Sequence, residues 1–157
     1  MTQHNLMSVR TEVVEEVLIP SLLEAALERE DRPLPEQAEA ALARMEDPLS
    51  VRLARLGYLA REVELERFAP ARQRMPWLAN HDPAELAAEE PLEKPRPDDQ
   101  RAATWRVPGP GGHVRHLLAM RAAAHVAREG DGAADARELK RAWVYGFLLH
   151  CREEAAS

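Results

Sequence analysis

Residues 47–70, DPLSVRLARLGYLAREVELERFAP, form the segment around which the rest of this chain is organised. Asp47 can accept a hydrogen bond from the first free N–H groups of a helix, and Pro48 suits the first helical position because it needs no N–H there. Pro70 ends the segment. Apolar residues recur between these points at steps of four and three and form one stripe, made of Leu49, Leu53, Leu56, Ala60 and Val63.

A second apolar stripe runs along the opposite face of the same segment. Val51, Tyr58 and Leu65 are spaced by seven residues, which at about 100° per residue places them away from the first stripe. A surface helix shows one apolar stripe, so two opposed stripes predict a helix that is covered on both sides. We expect it to be the central helix of an all-α bundle, with its second stripe covered either by the same chain or by a second copy.

The composition favours helix throughout. The chain has 157 residues, enough for one domain with a core, and 45% of them are apolar while only 4% are aromatic. Ala, Leu, Glu and Arg are abundant and β-branched residues are few, a balance that favours helix over strand. No convincing stretch alternates apolar and polar residues as a half-buried strand would.

The net charge of the chain and its single cysteine limit the partners and the cellular compartment that we expect for this protein. A net charge of −6 disfavours binding to a nucleic-acid backbone. One cysteine excludes an intrachain disulfide and suits a reducing compartment. The first residues lack the pattern of a signal peptide, and the longest apolar run, residues 142–149, is too short to span a bilayer. We therefore expect a cytoplasmic protein with no membrane partner, and the residue usage is typical of a GC-rich bacterial genome.

The pattern predicts three units along the chain. Residues 8–90 form an N-terminal helical unit, in which Pro20 either kinks one helix or begins a second. Residues 91–112 form a connector with five prolines and three glycines, which is either a tether or an arm laid over a partner. Residues 113–155 form a C-terminal helical hairpin that packs on the first unit, and Gly146 in its last helix predicts the close approach of another helix.

Histidines and the cysteine in the hairpin suggest a metal site. His113 and His116 share a helical face, and an antiparallel hairpin would bring His150 and Cys151 to their level. Imidazole and thiolate are ligands for zinc or iron. However, the chain has no Glu-x-x-His pair and no His-Glu-x-x-His motif, and His150 fits equally well as a hydrogen-bonded core residue.

Two further candidate sites are weaker. Gly111 and Gly112 precede a helix start with Arg115 nearby, an arrangement that can hold an anion, although it matches no phosphate-binding motif and a simple turn explains it. The basic residues Arg67, Arg72 and Arg74, with Phe68 and Trp77, could stack a nucleotide or could pair with the chain's own carboxylates.

The leading functional prediction is a non-enzymatic interaction protein, that is, an accessory subunit, adaptor or assembly factor that forms a homo-oligomer or binds a larger protein. No catalytic set is present in the sequence: the carboxylates fall on polar helical faces, and adjacency points the Cys151 and His150 side chains apart on a helix. Arg121 lies within an apolar stripe and either forms a buried ion pair or reaches to water. The predicted interface residues are Val51, Tyr58, Leu65, Trp77, Trp105, Arg121, Trp143 and Phe147. A metalloprotein and a nucleic-acid-associated protein remain the alternatives.

Overall fold

The computed structural model describes residues 13–68, 75–96, 98–107, 112–130 and 135–156, and this part of the chain is helical without strands. The prediction of an all-α bundle is confirmed. A π-helical turn (Val14–Leu18) precedes the first α-helix, and a 3-10 turn (Ala103–Arg106) precedes the sixth. The α-helices are α1 (Ile19–Glu28), α2 (Glu36–Ala43), α3 (Pro48–Phe68), α4 (Pro76–Ala79), α5 (Pro83–Glu89), α6 (Gly112–Glu129) and α7 (Ala136–Ala156).

Helix α3 begins where the capping chemistry predicts. The Asp47 carboxylate accepts hydrogen bonds from the Ser50 backbone N–H at 3.3 Å and from the Ser50 hydroxyl at 2.7 Å. The first apolar stripe of α3 is covered by the same chain, as buried Leu53 and Leu56 show. In the second stripe Tyr58 is buried, whereas Val51 and Leu65 are half-buried. Helix α3 packs on α1, α2, α6 and α7, and its contact with α7 is the most extensive.

The contact between α3 and α7 is made backbone to backbone. A Cβ atom added at Gly146 would fall well inside the van der Waals radius of the Ala54 carbonyl oxygen. A Cβ atom at Gly57 would collide in the same way with the Trp143 carbonyl oxygen. The close approach that Gly146 predicted is therefore present, and Gly57 is its counterpart on α3.

Pro20 lies in the first turn of α1 and leaves the helical path continuous. Proline lacks an N–H, and its ring clashes with the carbonyl group four residues earlier. The preceding turn is widened to a π-helix, in which the Ile19 N–H bonds to the Val14 carbonyl. The π turn accommodates the proline. The chain therefore continues as one helical segment across Pro20, and the regular α-helical part of that segment starts at Ile19, directly before the proline.

The described part of the connector lies against α7. The Lys140 ammonium is fully buried and donates to the carbonyls of Pro91 at 2.6 Å and Glu93 at 3.4 Å, and Arg141 Nε donates to the Glu90 carbonyl at 2.8 Å. This part of the connector is thus an arm laid on its own chain. The division of the chain into three separate units stays a prediction. Within the described residues, no helix has both the length and the hydropathy of a membrane crossing.

Candidate functional site

A buried charged cluster joins α3 to α7. Arg61 on α3 is 1% exposed, and its Nε and Nη2 atoms each donate to one carboxylate oxygen of Glu154 on α7 at 2.9 Å. Its Nη1 atom donates to Glu64 Oε1 at 2.6 Å. Such a bidentate ion pair between guanidinium and carboxylate is strong and geometrically specific. Arg61 therefore holds the two helices in one register.

The cluster continues as a chain of polar contacts to α6 and the connector. Arg115 on α6 lies 3.5 Å from Glu64 and donates to the carbonyl oxygen of Thr104. The Thr104 hydroxyl donates to Glu90 Oε1 at 2.8 Å. At the other end, His150 Nδ1 lies 3.1 Å from Glu154 Oε2. One polar network thus links α3, α6 and α7 to the 3-10 turn and to the end of α5.

Burial and ion pairing act in opposite directions on the pKa values of Glu64 and Glu154, the two carboxylates that pair with Arg61. Burial raises the pKa of Glu64 and outweighs the lowering by Arg115 and Arg61. Burial would also raise the pKa of Glu154, but hydrogen bonds from His150 and Arg61, with the charge of Arg61, lower it to about 2. Glu154 is therefore the fully ionised partner of Arg61 at neutral pH.

The sequence-based placement of all the carboxylates on polar faces is wrong for three of them, because Glu64, Glu90 and Glu154 are buried. Glu64 and Glu154 have arginine partners. Arg61, Glu64, Arg115 and Glu154 are each less than about a tenth exposed, so a substrate would reach them only if the helices separated. A buried charge that loses its partner is strongly destabilising. The geometry of this cluster therefore fits a structural role between helices.

The predicted metal ligands have other neighbours. Cys151 is fully buried beside Arg61 and Arg115, and burial raises the pKa of its thiol to about 12. The His150 ring packs against Tyr58 with centroids 4.6 Å apart. In the described ranges, no group of three or more His, Cys, Asp or Glu side chains could hold a metal ion. The zinc or iron site stays a prediction.

His113 and His116 lie beside positive charges. Burial, together with the nearby charges of Lys140 and Lys94, lowers the pKa of His116 to about 4. Burial also lowers the pKa of His113, with Lys94 acting in the same direction. The folded protein thus favours neutral imidazoles here, the form that can act as a ligand.

We expect the stability of the protein to fall as the pH drops from 7.5 to 5, and His116 to cause part of that loss. In the unfolded chain His116 takes up a proton near pH 6.5, whereas in the folded chain it stays neutral down to about pH 4. The contribution of His116 to the free energy of unfolding is therefore fully present above pH 6.5 and is lost as the pH falls below that value. We expect this loss to be about 1–2 kcal/mol, allowing for solvent screening of the half-buried ring.

Urea unfolding at pH 7.5 and pH 5 measures this effect. Between these two pH values, the free energy of unfolding of the His116→Asn variant should fall by about 1–2 kcal/mol less than that of the natural chain. An equal pH dependence in the natural chain and in His116→Asn would show that the ring is not held neutral.

Two residues of the predicted anion site, Gly112 and Arg115, lie in the part of the chain that the structure describes, and both contact other residues of the same chain. Gly112 packs so closely under the Trp105 ring that a Cβ atom would collide with it. Arg115 is buried and points to Glu64 and the Thr104 carbonyl. Gly111 lies outside the described residues, and the anion site stays a prediction.

The predicted nucleic-acid residues are only partly described. Arg67 donates to the Ser21 hydroxyl at 2.7 Å, and Phe68 is 41% exposed. Trp77 is half-buried with the Arg106 guanidinium 5.7 Å from its ring centroid. Arg72 and Arg74 lie outside the described residues. The Trp77 partner shown here, Arg106, was not among the residues predicted for this patch.

The predicted interface residues fall into three groups. Tyr58, Trp143 and Phe147 are at most 2% exposed and are covered by their own chain, so a partner could contact them only after the helices separate. Arg121 is exposed and donates to the Glu15 carbonyl at 3.3 Å, which fits the second of its two alternatives, that it reaches to water. Half-buried positions that remain partly accessible are Val51, Leu65, Trp77 and Trp105.

The structure also shows a surface groove that the sequence analysis missed. It lies between α2, α5 and α7, and consists of two adjoining cavities of about 550 and 430 Å³ that share Ala41 and Arg44. The first extends to α5 through Ala84 and Ala88, and the second follows α7 to Ala156. These lining residues come from three separate segments and share no sequence period, so no single-helix pattern could have indicated them.

The groove has a floor of small residues and a few larger apolar side chains. Ala41 lines both cavities and Ala142 lines the first, and Met45, Tyr145 and Leu149 lie along them in a half-buried state. Charged side chains also line it, namely Arg44, Asp82, Glu138, Arg141, Arg152 and Glu153. This surface can therefore receive a face that combines apolar and charged side chains, a common composition at protein–protein contacts.

Comparisons with protein-family models, with curated proteins and with solved structures gave no match. A proposal for the function of this chain therefore rests on the contacts, burial and charges described above.

Proposed function

We propose that this chain is a non-enzymatic interaction protein that binds one amphipathic helix of a partner protein in the groove between α2, α5 and α7. The observation that carries the proposal is the groove itself, with its alanine floor, its half-buried apolar side chains and its charged side chains. A partner helix would complete the covering of α7, whose opposite face already packs on α3.

A helix fits this surface better than an extended strand does. Extended peptides add to exposed sheet edges, and the described residues contain no strand, whereas amphipathic helices bind in grooves between helices. Small side chains at Ala41, Ala88 and Ala142 would let the backbone of the incoming helix approach closely. Met45 and Leu149 supply adaptable apolar contacts on either side of that floor.

A single helix also fits better than the same surface of a second copy. In a symmetric dimer the groove would face its own copy, and two concave surfaces leave the space between them unfilled. Packing density in a stable interface approaches that of a protein interior, so an empty groove of several hundred cubic ångströms would be unfavourable.

Site-specific photo-crosslinking in cells of the native source tests the proposal. A photoreactive phenylalanine analogue placed at the exposed Ala88 should form one discrete adduct, mapped by mass spectrometry to an amphipathic helical segment of another protein. The same analogue at the exposed Glu24 of α1 should not form that adduct. We expect Ala41→Trp, which fills the groove, to reduce the Ala88 adduct at least about tenfold while the fold is retained, because one blocked contact centre removes a large part of the binding energy.

Two results would contradict the proposal. An adduct from Ala88 to another copy of this chain would replace the partner helix by a homo-oligomer. An adduct that persists unchanged in the Ala41→Trp variant would show that the partner binds beside the groove and not in it. Circular dichroism of the purified variants checks that each has kept its helices.

A further inference from the structure

We infer that the helix bound in this groove is acidic along the edge that faces α2 and the C-terminal half of α7, where its carboxylates pair with Arg44 and Arg152. The inference rests on the proposed function and adds the chemical class of the partner. Both arginines line the groove, Arg44 directly after α2 and Arg152 within α7, and both are exposed.

These two arginines differ from others on the surface of the chain. Arg29, Arg52 and Arg55 each pair with at least one glutamate of their own chain at 2.9 Å or less. Neither Arg44 nor Arg152 forms an ion pair with any of the described residues. In a chain with 27 acidic and 21 basic residues, two groove arginines thus remain available to carboxylates from outside.

Two of the three carboxylates that line the groove accept hydrogen bonds from the chain itself. Asp82 caps α5 by accepting from the Ala84 N–H at 3.0 Å, and Glu153 accepts from the Tyr58 hydroxyl at 2.5 Å. Glu138, near the start of α7, lies in the cavity next to α5, whereas Arg152 lies in the other one. The hydrogen bonds to Asp82 and Glu153 come from neutral donors and leave the carboxylates charged, but the cavity that holds Arg152 is lined by two arginines, Arg44 and Arg152, and by one carboxylate, Glu153. The net charge of that cavity lining is therefore positive.

Charge complementarity at such an edge acts mainly on specificity. Exposed ion pairs contribute modestly to affinity, but like charges placed opposite one another oppose binding, so the difference between an acidic and a basic ligand is larger than the gain from the acidic one alone. With two arginines, we expect about a tenfold preference for an acidic helix, and this preference should shrink as salt screens the exposed charges.

Two synthetic helices serve as probes. Each is an 18-residue peptide with Leu and Ala in a stripe of helical period; glutamates flank the stripe in one peptide and lysines replace them in the other. Fluorescence anisotropy with the full chain should show about tenfold tighter binding of the glutamate peptide at low salt. The double variant Arg44→Glu/Arg152→Glu should reverse the preference.

A matched control carries the same change of charge away from the groove. Arg96 and Arg128 are exposed and likewise form no ion pair with any described residue, so Arg96→Glu/Arg128→Glu should keep the preference of the natural chain. Equal binding of both peptides, with Ala41→Trp weakening both, would overturn the acidic partner and leave the groove proposal standing. Binding that Ala41→Trp does not weaken, or no binding of either peptide, would overturn the proposed function and this inference together.

Discussion

The Gly146→Ala variant is expected to lose about 3 kcal/mol or more of its free energy of unfolding. The new methyl group would overlap the Ala54 carbonyl oxygen, which belongs to the backbone of α3 and cannot rotate away. Alanine is the better helix former by about 1 kcal/mol, so the loss would occur against the intrinsic preference. Relief requires that α7 move away from α3 along the largest helix contact of the chain, at the cost expected for overpacking of a core.

Chemical denaturation followed by circular dichroism measures the effect, and Gly130→Ala is the matched control. A Cβ atom at Gly130 would meet its nearest neighbours at 3.7 Å, an ordinary contact, so this variant should stay within about 1 kcal/mol of the natural chain. If Gly146→Ala were as stable as Gly130→Ala, then α3 and α7 would not cross at Ala54.

The Arg61→Met variant is expected to lose about 3–5 kcal/mol of its free energy of unfolding at pH 7. Methionine nearly fills the space of the arginine stem, but it leaves Glu64 and Glu154 buried without their main donor. Removing one partner of a buried ion pair costs this much because the remaining charge is not hydrated and loses its main partner, and Arg115 and His150 replace that partner only in part. Arg29, directly after α1, pairs with the more exposed Glu62 and Glu66, so Arg29→Met should cost no more than about 1 kcal/mol.

The pH dependence of this loss separates the ion pair from simple packing. Arg61 contributes to lowering the folded-state pKa of Glu154 to about 2, below its ordinary value, so the pairing stabilises the fold above about pH 4.5 and this contribution disappears as the pH falls toward 2. The difference between Arg61→Met and the natural chain should therefore shrink between pH 7 and pH 3. A difference that stays constant over this interval would assign the loss to packing.

Much of the fold could be predicted because it depends on local chemistry. The cap at Asp47 appears in the structure with Pro48 as the first helical residue, and Asp82 caps α5 in the same way. The two stripes of α3 and the glycine in α7 predicted a helix covered on both sides and a close crossing. Each of these signals lies within about four helical turns, so one segment of sequence contains it.

The buried network could not be predicted because it depends on which faces meet. Arg61 and Glu154 lie 93 residues apart, and each resembles an ordinary charged residue of a polar helical face in its own segment. The groove is similar: Ala41, Ala88 and Tyr145 come from three helices and lie together only once the bundle has formed. The interface prediction for Trp143 and Phe147 followed their apolar character, which the α3–α7 core already uses.

The most direct test of the groove is an amide chemical-shift map of the isotope-labelled full chain titrated with the glutamate peptide. We predict that the largest shifts fall on Ala41, Ala88, Tyr145 and Leu149, which line the groove, and that the amides of α1 remain unchanged. Saturable binding whose largest shifts fall on α1 or α6 would contradict the assignment of this surface as the partner site.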